Sequence, residues 1–228
     1  MLRLHDHRTG RAEPLPGGLG LRVQILDGAG PRVPVVADLL RRVAERAGRR
    51  VRVASTSSFA LDDFNVASFE VLDAPLPDAD VYLANADVHQ ADEAAARTDA
   101  LCLVVAPETG AGPPASASPI AVRLAVLEVP YREPLELSEA RLSKAEERLD
   151  RWRGKVAEWA TSPGRPMNRE YASEAEAALA DDLGSPGALA VLDRLAADAD
   201  VPPGAKLETF IHLDLLLGLD LVSAIGSA

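Results

Sequence analysis

Apolar and polar positions follow two different rules along this chain. In the first half, short apolar runs alternate with an amphipathic stretch. LRVQIL at 21–26 has strand length, and Val36, Leu39, Leu40 and Val43 then recur at helical spacing within 35–47, with Gly48 as the cap. A further strand at 51–54 makes residues 21–55 a strand, helix, strand unit of the parallel-sheet type. The pattern continues with a strand at 78–84, a helix at 88–97 opened by Asp87, and a strand at 101–106. Ahead of all this, LRLHDHRTGR at 2–11 reads as a short strand with a Thr-Gly turn.

From residue 118 onward the only period is helical. Ser118-Pro119 is a helix start, because serine accepts from orphan first-turn amides and proline at the first position gives up an amide that had no partner. That helix runs through Leu127; Pro130 stops it, and 131–135, YREPL, is expected as an extended connection. A longer helix from Ser138 to about Ala160 carries Leu142, Ala145, Leu149, Trp152, Val156 and Trp159 three and four apart, an apolar seam that assigns both tryptophans to the core. Gly154 within it costs about 1 kcal/mol relative to alanine. Ser173-Glu174-Ala175-Glu176 has the form of a capping box, opening a helix that ends at Gly184. Ser185-Pro186 starts another, with Leu189, Leu192 and Leu195 on one side, and a last helix spans 207–217 before Gly218. The expected fold is therefore α/β, a trimmed Rossmann-like parallel sheet at 1–117 followed by an all-α helical bundle at 118–228, with PETGAGPPASA at 107–117 as the linker.

At 228 residues and 47% hydrophobic, the chain is long and apolar enough to bury an ordinary core. No apolar run reaches the ~18 residues of a membrane span, and the first residues lack the apolar centre of a secretion signal, so a cytoplasmic address is expected. Cys102 is the only cysteine; set in LCLVVA, it reads as an inert core residue. Net charge is −11, of which −7 comes from residue 118 onward, with 12 Lys and Arg against 19 Asp and Glu. Phosphate neutralisation drives nucleic-acid affinity, so an acidic bundle disfavours tRNA as a partner.

The order SPIAVRLAVLEVPYREPLELSEARL, helix, Tyr-Arg-x-Pro-Leu linker, Ser-Glu and long helix, resembles the junction DPEVLRLFLLSAHYRSPLNFSEEAL that joins the catalytic domain of cysteinyl-tRNA synthetase to its helical bundle. The ligase that joins cysteine to glucosaminyl-inositol in mycothiol synthesis shares that junction, and the two are treated as one family. ALADDLGSPGALAVLDRLA at 178–196 is similar to the family's AMDDDLNTPxALAVLxxL hairpin, and the N-terminal LRLHDHRTGR is similar to LRLYDTLTR. The family uses ATP and zinc, and the resemblance implies a nucleotide cleft at the carboxyl ends of the strands.

Setting the family's VVxDxLRR on Val35, Val36, Asp38, Leu40, Arg41 and Arg42 puts its arginine on Arg32 and its phosphate-stabilising histidine on Asp27, beside a shortened loop. An aspartate there adds negative charge next to a triphosphate. The segment VRVASTSSFALDDFN is similar to VTYVQNFTDVDDKI, which places Ser58 near the family threonine of the amino acid pocket and Asp62 and Asp63 on its paired aspartates. For Asp62 and Asp63 a helix cap facing solvent is the competing reading. His89 and Glu93, one turn apart, hold the spacing of two family zinc ligands, but with no thiolates beside them they make a surface pair and no metal site is expected. Where the family's mobile KMSKS loop holds ATP, no lysine lies between Arg97 and Lys144.

Scaffold is thus retained while ATP-handling chemistry is not. The expected function is that of a catalytically degenerate, synthetase-like binding module without a cofactor, its ligand a small metabolite or a protein partner, with Asp27, Arg32, Ser58, Asp62 and Asp63 bordering the cleft. The alternative is an ATP-dependent cysteine ligase or cysteinyl-tRNA synthetase activity with an atypical or partner-completed site.

Overall fold

The structure is a computed structural model that describes residues 1–26, 30–59, 62–85, 99–110 and 117–226, the side chain of residue 62 excepted. Its centre is a five-stranded parallel sheet. Strands β3 (Gly20–Ile25), β4 (Arg50–Ser55), β5 (Glu70–Val71), β6 (Val81–Asn85) and β7 (Leu101–Val105) lie in the order β5-β4-β3-β6-β7. Val23 pairs with Val53 on one side and with Val81 on the other, and Val81 pairs with Leu101, so β-branched and leucine side chains form rows across the sheet. The chain starts in the middle, adds two strands to one side, then crosses to the other. This reversal between β3 and β6 is the switch point of a Rossmann-like sheet, and the expected fold class is what is observed.

Helix α1 (Arg32–Arg46) begins three residues earlier than its apolar spacing indicates, since Pro34 fits a first turn that needs no amide donor. It buries Val33, Val36, Leu39, Leu40 and Val43 against the sheet. Two short strands, β1 (Arg3–Asp6) and β2 (Arg11–Pro14), form an antiparallel hairpin beside β7, with the Asp6 carboxylate accepting from the Cys102 amide. The segment read as a linker starts with β8 (Glu108–Thr109), which pairs in parallel with β9 (Leu135–Glu136). Residues 131–133 before β9 are therefore not extended: Glu133 N donates to Pro130 O at 2.9 Å and closes a turn. The helix expected at 88–97, with His89 and Glu93, lies outside the described residues.

Helices α2 (Pro119–Leu127), α3 (Glu139–Trp159), α4 (Arg169–Ala180), α5 (Ser185–Ala197) and α6 (Pro203–Leu217) complete the chain. Ser118 and Ser138 cap α2 and α3 as their sequence indicates, each Oγ accepting from the amide three residues on. The seam of α3 is fully buried from Leu142 to Trp159, and Phe210 of α6 packs edge-on to Trp159 with ring centroids 5.1 Å apart. The capping box at Ser173 is not used. Asn168 caps α4 five residues earlier, its Oδ1 accepting from the Glu170 and Tyr171 amides, which leaves Ser173 mid-helix. Helix α6 likewise starts at Pro203, before its first bulky apolar residue.

One apolar cluster runs from Leu21, Val23 and Ile25 of the sheet through Leu40 of α1 to Leu124, Trp152, Phe210 and Leu217 of the bundle. A smaller one, with Leu26, Ala79, Tyr82, Ala84, Ala100 and Cys102, lies apart from it, and Cys102 is fully buried there. Among the described residues, no helix is long and apolar enough to cross a membrane.

Candidate functional site

In an open parallel sheet, ligands bind beyond the carboxyl ends of the strands at the switch point. Here that edge is formed by Ile25, Ser55, Asn85 and Val105 and by the first turn of α1. With Pro34 lacking an amide hydrogen and the Val35 amide bonded to Pro31 O, the first turn of α1 offers the Arg32 and Val33 amides, whose partial positive charge suits an anion. That position is taken by the protein itself. Glu108 Oε1 accepts from the Arg32 amide at 2.9 Å, and the carboxylate lies so close to Gly30 that a Cβ there would sit 2.8 Å from it. Gly30 also has φ +84°, so the turn into α1 needs glycine on two counts. Burial pushes the Glu108 carboxyl above its ordinary range, against the opposing pull of the Arg32 amide and charge.

Arg32 itself is 1% exposed. Its Nη1 donates to Ala106 O at 2.9 Å and Pro107 O at 3.3 Å, and its Nη2 to Pro130 O at 2.9 Å and Glu133 O at 2.6 Å. The guanidinium therefore ties the end of β7 to the turn before β9, and its Nε is buried without a hydrogen-bond partner. Desolvation lowers its affinity for a proton, with Glu108 and Glu133 acting the other way. Ser58 is exposed beyond β4, in a loop whose Ser57 amide donates to Ser55 Oγ. Asp63 is exposed on a 3₁₀ turn at Asp62–Phe64. Asp27 and the side chain of Asp62 lie outside the described residues. Arg32 thus turns inward to backbone carbonyls, while Ser58 and Asp63 face solvent. Among the described residues, no cluster of three or more metal-ligating side chains is present.

The residues of the VVxDxLRR stretch have a role that register alone does not reveal. Asp38 is fully buried on α1 and accepts from Arg41 at 2.5 Å, Arg42 at 2.7 Å and the equally buried Arg123 of α2 at 2.8 Å. Arg123 also donates to Leu217 O, Phe64 O and Asn65 O. Helix α1, the 3₁₀ turn, α2 and the end of α6 meet on this one guanidinium. Gly218, in the left-handed conformation after α6, leaves it room, since a Cβ there would lie 2.8 Å from Arg123 Nη2. Burial pulls Arg123 down to about 10, which leaves it charged at neutral pH. Burial alone would raise Asp38, but Arg123 and Arg42 outweigh it and hold the carboxyl below its ordinary value. The sequence signal for the network is a lone acid inside the apolar stripe of α1.

A second junction gathers the three stretches that carry the family resemblance. Asp182, with φ 54° in the turn after α4, accepts from the His5 amide at 2.8 Å, Tyr131 Oη at 2.6 Å and Arg132 Nε at 2.8 Å, while its own amide donates to Arg3 O. The N-terminal strand, the Tyr-Arg linker and the Asp-Asp-Leu-Gly turn are thus bound to one another. Burial and the neighbouring carboxylate push the Tyr131 hydroxyl well above its usual range, so it stays a donor.

No family model matches the chain. It is similar to the L-cysteine:1D-myo-inositol 2-amino-2-deoxy-alpha-D-glucopyranoside ligase of Streptosporangium roseum, 39% identical over 109 residues, covering 46% of this chain and 26% of that protein. The ligase of the same name from Thermobispora bispora is 41% identical over 106 residues, covering 46% and 25% respectively. The cysteine–tRNA ligase of Parvibaculum lavamentivorans is 41% identical over 90 residues, 39% of this chain and 19% of that protein. The chain spans about a quarter or less of the length of these relatives. Over just under half of its length, the chain is thus related in sequence to proteins of the cysteine ligase and cysteine–tRNA ligase family.

Proposed function

We propose that this chain is a catalytically degenerate member of the family that acts by binding a small metabolite or a protein partner and does not activate cysteine with ATP. The observation that carries this reading is the Glu108 carboxylate on the α1 N-terminus, 2.9 Å from the Arg32 amide, where an incoming phosphate would need a donor. A triphosphate would meet a carboxylate at that position, and Arg32 beside it already serves four backbone carbonyls. Transition-state charge on a phosphate is stabilised by donors aimed at it in advance, and here those donors are committed elsewhere. The acidity of the helical half, −7 from residue 118 onward, argues further against tRNA as the ligand.

The test is a thermal-midpoint titration of the purified chain with ATP, cysteine and a cysteinyl-adenylate analogue, alongside a pyrophosphate-release assay. Ligands that bind the native state alone raise the midpoint by mass action. The proposal expects no pyrophosphate release with cysteine and ATP, and no midpoint shift with ATP. Turnover by the chain alone would instead establish the competing reading, a cysteine ligase with atypical residues. Turnover only when a second subunit is added would establish the partner-completed form of it.

A further inference from the structure

At the opposite end of α1 from Glu108, a half-open cavity of about 290 Å³ lies between the C-terminal turn of α1, helices α4 and α6, and the first two residues. Its lining is apolar: Leu2, Val43, Ala47, Leu179 and Leu216 contribute most of it. On its wall stand Arg46 and Glu176, and His212 joins them from α6. Glu176 Oε1 accepts both from Arg46 Nε at 3.2 Å and from His212 Nε2 at 2.8 Å. Arg46 is half-exposed; it holds Glu176 through its Nε, and its Nη2 stands 3.5 Å from His212 Nε2, which leaves Nη1 as the donor for another acceptor. His212 and Arg46 hold the Glu176 carboxyl below its ordinary range despite partial burial, so it is ionised at neutral pH and cannot donate.

We propose that this cavity is a ligand site for a small amphipathic carboxylate, its apolar body among Leu2, Val43, Leu179 and Leu216 and its carboxylate on Arg46. An apolar pocket with a few convergent polar groups is the usual form of a small-molecule site. The size fits: about 290 Å³ lies at the small end of small-molecule sites, which run from roughly 300 to 1,000 Å³. The charge also selects. A carboxylate head can accept from Arg46 Nη1, a charge-assisted bond, while an ammonium head would be repelled by Arg46 and could turn only to Glu176 Oε2, the alternative that the octylamine arm below tests. The site lies at the amino-terminal edge of the sheet, remote from the nucleotide cleft, so it stands or falls independently of the degenerate-ligase reading.

The probes are octanoate, octylamine and 1-octanol, titrated into the full chain and followed by amide chemical shifts of Val43, Leu179 and Leu216. The expected result is octanoate binding with a Kd below about 1 mM and octylamine at least about tenfold weaker. Arg46→Gln keeps the apolar lining; it should weaken octanoate about tenfold and leave octanol unchanged. Ala180→Trp, at a half-buried lining position in the last turn of α4, should fill the cavity and abolish both while preserving the spectrum of the fold. Octylamine binding as tightly as octanoate, octanoate retained in Ala180→Trp, or no shifts at about 5 mM octanoate would each overturn the assignment.

Discussion

Replacing Arg123 by methionine tests whether the buried guanidinium holds the sheet and the bundle together. The substitution keeps a long unbranched side chain, so the loss is one of hydrogen bonds and charge and only slightly of volume. Leu217 O and Phe64 O lose the donor at 2.7 and 3.2 Å, whereas Asn65 O keeps Arg42 at 2.7 Å. Asp38 retains Arg41 and Arg42, so its charge is not stranded. Breaking one side of a buried pair costs about 3–5 kcal/mol, and the remaining partners of Asp38 place this case toward the lower end. For a chain of this size that corresponds to a midpoint about 6–15 °C lower, at about 2–4 °C per kcal/mol. Urea unfolding of Arg123→Met, Asp38→Leu and the double variant supplies the cycle. The double variant should cost less than the sum of the singles by at least about 1 kcal/mol, because no charge is then left unpaired. A cost below about 1 kcal/mol for Arg123→Met, or additivity within about 0.5 kcal/mol, would refute the reasoning. The pH dependence has a definite sign: the folded-state carboxyl of Asp38 lies below its unfolded value, so its stabilisation is complete above that value and is lost as pH falls below about 4.

Glu108→Gln keeps an acceptor for the Arg32 amide and removes a carboxylate whose folded pKa is raised. Native Glu108 therefore loses stability as pH rises through its unfolded value, and the variant should equal or exceed the parent at pH 7 in chemical denaturation, with the difference vanishing below about pH 4. Gly30→Ala should destabilise by about 1–3 kcal/mol, from its φ of +84° and from the Glu108 carboxylate in its path, and pairing it with Glu108→Ala should recover only the steric part. Gly218→Ala should cost at least about 1 kcal/mol in the same assay, since it strains the α6 cap and presses on the pinned Arg123. Tyr131→Phe, which removes the 2.6 Å bond to Asp182, should cost about 1–2 kcal/mol, and hydrogen exchange of the His5 amide should quicken.

What the chain revealed before its structure follows from the range of the interactions involved. Strand, helix, strand order, the serine caps at Ser118 and Ser138 and the α3 seam are set by neighbours within a few positions, and each was legible. At the start of α4 two local signals compete: Asn168 offers its carboxamide first, and the chain is already helical when it reaches Ser173. The Pro, Gly and Ala run after β7 hides β8, because its partner residues in β9 lie 27 positions further on. Arg32 could be placed at the carboxyl edge of the sheet from its register, but not its inward turn. The carbonyls it serves come from positions 74 to 101 residues away, and carbonyls have no signature in sequence. Glu108 was equally silent, one acid in a flexible-looking segment.

The Asp182 junction also bears on how the chain comes to fold. His5 and its acceptor are 177 positions apart, a closure of unusually long range. At roughly 5–20 residues per second, synthesis takes about 9–35 s to travel from one to the other. During that interval β1 can pair with β2 and lie along β7, yet its amide at His5 has no carboxylate to meet. The sheet is complete in sequence long before its outer hairpin is fastened. Contacts of such separation are formed late and slowly, so the last event of folding should be the docking of the α4–α5 turn onto strand and linker together. A chain released before Asp182 would carry an intact set of sheet strands with a loose edge, the kind of surface that pairs with other chains.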